Sequence, residues 1–195
     1  MQPAATRPNV IGVPNMLTYA RIAAVPALVL CMLLLDGDAR NWAACGIFVA
    51  ACITDWLDGY LARILAQQSS LGRMLDPIAD KLLVGGAIVM LVEDQSIAGI
   101  SVVAAVVILS REILVSGLRE YLAALNVQIH VTWLAKVKTT FQMVAIAMLL
   151  AGAAGDRLLP GLSSAGLALI WCAALLTVWT GFDYLRAAVR HAMEN

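Results

Sequence analysis

Charge is scarce in this sequence. Only 13% of its 195 residues are charged, thirteen basic against thirteen acidic, while 62% are apolar and the mean hydropathy is +0.85. A chain so poor in charge cannot coat an ordinary water-soluble globule with polar side chains. The formal net charge of zero also removes the global basic field that a nucleic-acid partner would require. Histidine is nearly absent: His130 falls in an expected loop and His191 in the tail, so neither suggests catalysis or metal ligation. The four cysteines, Cys31, Cys45, Cys52 and Cys172, lack the paired spacing of a metal site and sit in apolar stretches, where buried free thiols are expected. There is no Gly-Ser linker, repeat, heptad or low-complexity segment to divide the chain. Residues 1–195 therefore read as one domain, with 1–13 a flexible or interfacial arm. No apolar stretch precedes Met16, so the beginning does not read as a cleaved signal peptide, and the first apolar run is expected to serve as an uncleaved insertion signal.

What is abundant is apolar sequence in runs of membrane length. A hydrocarbon core of about 30 Å takes roughly 20 mostly apolar residues to cross as helix. Runs punctuated by polar or turn-rich breaks predict six spans, at 16–35, 41–63, 74–93, 97–122, 134–153 and 163–186. The fold class expected is an all-α membrane protein, a bundle of six transmembrane helices. The tryptophans Trp42, Trp56 and Trp133 fall near span ends, as an interfacial belt would have them. With both termini in the cytoplasm, Arg7, Arg21, Arg63, Arg73, Lys81, Arg111, Arg119, Lys136, Lys138, Arg186 and Arg190 lie inside, and only Arg40 and Arg157 outside. That asymmetry selects cytoplasmic N- and C-termini. It also turns the segment from Arg63 to Lys81 toward the cytoplasm.

The chemistry is concentrated between Thr54 and Lys81. Asp55 and Asp58 are three apart, and Asp76 and Asp80 four apart, so each pair shares one face of its helix. Four carboxylates near membrane depth repel one another and are costly unless neutralised. An oxygen-only ligand set suits Mg²⁺ or Mn²⁺ rather than zinc, and two such ions can bracket a phosphate undergoing in-line displacement. Gly59 and Ala62 leave room beside the acidic face, and Arg63 offers a fork for phosphate. Gly72 and Arg73 repeat that provision across the loop, giving a site shaped for a nucleotide diphosphate. Asp55 or Asp58 alone could be a solvated charge at a span end. The full pattern D-x2-D-G-x2-A-R-x8-G-x3-D-x3-D fixes so many positions that its chance occurrence is on the order of 10⁻⁸.

This pattern matches, at every position, the signature of the CDP-alcohol phosphatidyltransferases, which the chain resembles. The resemblance extends to Pro14-Asn-Met-Leu-Thr-Tyr-Ala-Arg21, to Ser110 through Glu120, and to Lys136-Val-Lys-Thr-Thr-Phe-Gln142, and is strongest to the bacterial branch that uses glycerol 3-phosphate. It implies six transmembrane helices, a homodimer in the cytoplasmic membrane and a two-metal site facing the cytoplasm. Asp55, Asp58, Asp76 and Asp80 would ligate Mg²⁺ or Mn²⁺, with Asp80 also the general base. Gly59, Ala62, Arg63, Gly72 and Arg73 would bind CDP-diacylglycerol. The implied reaction is attack by a glycerol 3-phosphate hydroxyl on the lipid-bearing phosphorus, with CMP leaving.

Arg111 and Arg119 lie in an otherwise apolar span, where a basic residue is costly and by default functional. They are candidates for the acceptor's phosphate, with pairing to Glu112 or Glu120 as the competing role. Lys136 and Lys138 are candidates too, against simple anchoring to anionic headgroups. Arg21 and Asn15 are weaker candidates, and Lys81 could simply balance Asp80. Inositol phosphate is the rival acceptor, and serine or phosphatidylglycerol further ones. The non-enzymatic rival is an ion-coupled transporter, which would spread its acidic groups over several helices near the midplane.

Overall fold

The structure, a computed structural model, describes residues 13–65, 70–125 and 133–193, without the side chains of 13–15, 56, 58–65, 70, 71, 73, 124, 135 and 183–193. The arm before Val13 and His130 lie outside the described residues, as do the side chains of Asn15, Trp56 and His191. Six helices follow one another: α1 (Val13–Leu34), α2 (Gly37–Leu65), α3 (Ser70–Glu93), α4 (Ser101–Ala124), α5 (Trp133–Leu158) and α6 (Leu162–Met193). Among the described residues there is no strand. Even α1, the shortest at 22 residues, is about 33 Å long at 1.5 Å per residue.

Four helices contain stretches long and apolar enough to cross a membrane: Met16–Leu34, Ser101–Ala123, Lys136–Leu158 and Leu162–Phe182. Helices α2 and α3 have the length, but the acidic motif dilutes their apolar content. Large apolar side chains cover the outside, among them Ile113 at 71% and Trp179 at 70% exposure. In water such a surface would be an aggregation hazard; against hydrocarbon it needs no cover. Trp42 and Trp133 are exposed near helix starts, as expected of interfacial tryptophans.

The helices alternate in direction. At one end Arg40 binds Asp94 at 2.7 Å, and Arg157 pairs with Asp38, tying together the α1–α2, α3–α4 and α5–α6 connections. The core between the ends is built from Leu28, Phe48, Leu83, Ile88, Ile108, Ile146 and Ile170. Helix α1 packs closely on both α2 and α3, whereas α2 and α3 scarcely touch each other. Gly86 allows the approach of α1, since a Cβ there would lie 3.2 Å from Val25 Cγ1.

Of the boundaries that differ from expectation, two have a local cause in the backbone. Helix α4 starts at Ser101, not 97, because Gln95 (φ 61) and Gly99 (φ 56) turn the chain and the Ile97 amide donates back to the Leu91 carbonyl at 2.9 Å. Helix α5 does not stop at 153; it kinks at Gly152 (φ 47, ψ −137) and continues to Leu158. The expected burial of all four thiols is also corrected: all are free, but Cys172 is exposed and Cys45 and Cys52 are only partly buried. Cys172 lies on an α6 surface rich in exposed apolar groups, where a thiol needs no burial.

At Gly152 both the backbone and the space require glycine. A Cβ would stand 2.9 Å from Asn41 Nδ2, and φ is positive. Gly152→Ala is expected to destabilise the protein by about 1–3 kcal/mol, seen as a thermal midpoint several degrees lower in detergent.

Candidate active site

Helix α1 enters the acidic region with Thr18 and Arg21, three apart and so on one face. Both are buried. Thr18 Oγ1 donates to Asp76 Oδ1 at 2.6 Å. Arg21 Nη1 lies 2.8 Å from Asp80 Oδ1, 3.0 Å from Asp55 Oδ1 and 3.8 Å from Asp76 Oδ1. The arginine side chain is 0% exposed, while the three carboxylates keep 46%, 31% and 38% of their surface for Asp55, Asp76 and Asp80. The carboxylates therefore face an opening and are backed by a sealed cation. Lys81 does not balance Asp80 here: its Nζ donates to the Pro77 carbonyl at 3.0 Å, and Arg21 takes that place.

The opening is a cavity of about 320 Å³ between α2, α3 and α5, lined by Arg21, Asp55, Asp80, Thr139 and Thr140 among others. Cys52, Met143 and Val144 form a wall shared with an apolar groove of about 290 Å³ between α2 and α5, which also includes Phe48, Ile53 and Ala147. Thr139, Thr140, Met143 and Val144 follow helical spacing, and Lys136, one turn earlier, continues that face. Lys136 is exposed and its carbonyl accepts from Thr140 Oγ1 at 3.2 Å.

Lys138 belongs to the other side of α5. It is 3% exposed and its Nζ donates to Glu112 Oε1. Arg111 binds the same oxygen through Nη1 at 3.2 Å, the Thr177 carbonyl through Nε at 3.2 Å, and Thr180 Oγ1 through Nη2 at 3.1 Å. Gly181 makes room for its stem, since a Cβ there would lie 3.3 Å from Arg111 Cγ. Glu112 is thus a partner of Arg111, and shares itself with Lys138. Arg119 is exposed about two turns farther along α4.

A sequence model of the CDP-alcohol phosphatidyltransferase family matches residues 11–179, which include Thr18, Arg21, all four aspartates and the Arg111–Lys138 group. The chain belongs to that family. The CDP-diacylglycerol–glycerol-3-phosphate 3-phosphatidyltransferase of Rickettsia bellii is 44% identical over 180 residues, spanning 92% of this chain and 97% of the relative. Proteins of the same name from Escherichia coli and Cereibacter sphaeroides are 42% and 39% identical, and span 91% and 94% of this chain.

For a CDP-alcohol phosphatidyltransferase, the expected residues divide into three groups. Asp55, Asp76 and Asp80 come together as read from the sequence, though around an α1 arginine rather than across an α2–α3 contact. Asp58, Gly59, Ala62, Arg63 and Arg73 have side chains outside the described residues, and Gly72 is buried in the first turn of α3. Lys136 shares the cavity face, while Arg111 and Lys138 are internally paired. Carboxylate oxygens of Asp55, Asp76 and Asp80 surround a point held by a positive group, and their chemistry fits a hard divalent cation. As they stand, no three His, Cys, Asp or Glu side chains among the described residues are arranged to hold an ion. Thr18 was missed in the sequence, and Arg21 undervalued; a charged residue three after a threonine in an apolar span was the available signal.

The Glu112 network generates its own test. Removing one partner of a buried ion pair leaves the other uncompensated, at a cost of about 3 kcal/mol. Glu112→Leu should therefore lower the thermal midpoint sharply, and adding Lys138→Met should recover part of that loss. A double-mutant cycle measures the coupling, and strictly additive losses would contradict the shared-partner geometry.

Proposed function

We propose that the protein transfers the phosphatidyl group of CDP-diacylglycerol to glycerol 3-phosphate, giving phosphatidylglycerophosphate and CMP. One observation carries this reading: near-full-length relatives named for that reaction share the chain's family, and two of the signature carboxylates, Asp55 and Asp80, line one cavity here. The cavity's continuation into an apolar groove between α2 and α5 supports a substrate with a polar head and acyl chains. Six spans, cytoplasmic termini, a cytoplasm-facing site, the cytoplasmic membrane and a homodimer complete the proposal. The alternating helix directions support the first of these.

Asp55, Asp58, Asp76 and Asp80 are the residues to hold Mg²⁺ or Mn²⁺. Such ions, when bound, polarise phosphoryl oxygens and offset developing charge. Asp80 accepts the proton of the acceptor's hydroxyl as its oxygen attacks the lipid-bearing phosphorus; the bond from that phosphorus to the CMP oxygen breaks, and CMP departs with the electron pair. Gly59, Ala62, Arg63, Gly72 and Arg73 hold the nucleotide diphosphate. For the acceptor's phosphate, Lys136 has the strongest support because it continues the cavity face of α5. Arg119 is exposed beside the same end of the bundle, and Arg111 and Lys138 contribute charge from behind through Glu112. A transporter is disfavoured because the acidic side chains gather on one arginine near one end of α1–α3.

Protein in nanodiscs with CDP-diacylglycerol should release CMP on addition of glycerol 3-phosphate, and not with inositol phosphate. Chelator should abolish turnover, and Mg²⁺ or Mn²⁺ restore it. Asp80→Asn should reduce CMP release by about 10²–10⁴-fold with CDP-diacylglycerol binding largely retained. Release with inositol phosphate alone would overturn the acceptor.

A further inference from the structure

Arg21 stands in a demanding position. It lies inside an apolar span, its side chain is fully buried, and its neighbours along α1 are almost all apolar. A guanidinium so placed is stable only if it is paired. The three aspartates supply that pairing, and they need it equally, because carboxylates this close repel one another. Since α2 and α3 scarcely touch, the α1 cation, with Thr18 one turn away, is what brings their acidic faces to a common point.

The oxygens involved are the decisive detail. Nη1 is 3.0 Å from Asp55 Oδ1 and 2.8 Å from Asp80 Oδ1. A hard divalent cation takes carboxylate oxygens at about 2.0–2.2 Å. An ion at that length from either Oδ1 would stand within about 5 Å of the Nη1 that already contacts it. One carboxylate pair is thus claimed by two positive groups.

We propose that Arg21 is a positioning residue and a resident counter-cation: it assembles Asp55, Asp76 and Asp80 and competes with the divalent ion for their oxygens. This rests on the metal-dependent function proposed above and adds a determinant of metal affinity that lies outside the acidic signature. Two effects of removing the guanidinium oppose each other. Loss of assembly weakens metal binding, but the apolar packing of α1 against α2 and α3 still holds the helices that carry the aspartates, so mainly side-chain order is lost. Loss of a positive charge about 3 Å from the ligand oxygens strengthens it, and in this partly buried site the charge effect is the larger.

Mn²⁺ binding to substrate-free protein in nanodiscs, followed by electron paramagnetic resonance, tests this alongside thermal unfolding in chelator and in saturating Mn²⁺. Arg21→Met should bind Mn²⁺ roughly tenfold more tightly than wild type. Its unfolding midpoint should fall several degrees in chelator and return toward wild type with Mn²⁺. Arg21→Lys, which keeps the charge, should stay close to wild type in both measurements. Unchanged or weaker Mn²⁺ affinity in Arg21→Met overturns the proposal, as does a stability loss that Mn²⁺ does not repair. If Arg21→Met does not fold, Arg21→Gln carries the same expectations, and failure of both to fold even with Mn²⁺ present also overturns it. A wild type that binds no Mn²⁺ at all would instead sink the metal-dependent reading of the site, and this inference with it.

Discussion

Three helices end their polar business on one atom. Arg21 Nη1 lies within 3.8 Å of carboxylates from α2 and α3, and the helices carrying those carboxylates make almost no contact of their own. In water, four aspartates in so short a stretch could separate and be solvated. Near membrane depth they cannot, because an unpaired charge there is costly. The acidic ends of α2 and α3 are therefore held to α1 by electrostatics, and the apolar packing below them, from Leu28, Phe48 and Leu83, fixes the register at which they meet.

The same constraint recurs on the far side of α5. Glu112 serves two cations, Arg111 and Lys138, in a region where Thr177 and Thr180 are also buried. One acidic residue among basic ones here, and one basic residue among acidic ones in the active site, are complementary arrangements. In each, a single opposite charge lets several like charges share a confined volume. Helix α5 separates the two, presenting Thr139, Thr140 and Met143 to the cavity and Lys138 and Gln142 to the interior.

Much of this was legible in the sequence, and for identifiable reasons. The number of helices follows from apolar run length, which the bilayer sets independently of tertiary detail. That Asp76 and Asp80 share a helix face, as do Asp55 and Asp58, follows from spacing within helices, whereas the α1 arginine on which three of them meet does not. Contacts between distant segments were not legible. Arg21 and Asp80 are 59 residues apart, and Glu112 and Lys138 are 26 apart, with no periodicity linking either pair. The sequence sorted Lys136 and Lys138 together because they are neighbours, yet two residues along a helix is about 200° of rotation, enough to send one to the cavity and the other to the core. Nor was the kink at Gly152 legible, since the side chain that glycine makes room for is Asn41, brought alongside from α2.

The proposed substrate has to be met in two solvents, and the cavity is placed accordingly. Cys52, Met143 and Val144 line both the carboxylate chamber and the apolar groove beside it. An apolar wall next to charged groups excludes water from one side and so lowers the local dielectric, which strengthens every attraction and repulsion within the chamber. A lipid that fills the groove would complete that exclusion. With acyl chains in that groove, the balance between Arg21 and its carboxylates would shift with them, coupling occupation of the groove to the electrostatics of the proposed site of phosphatidyl transfer.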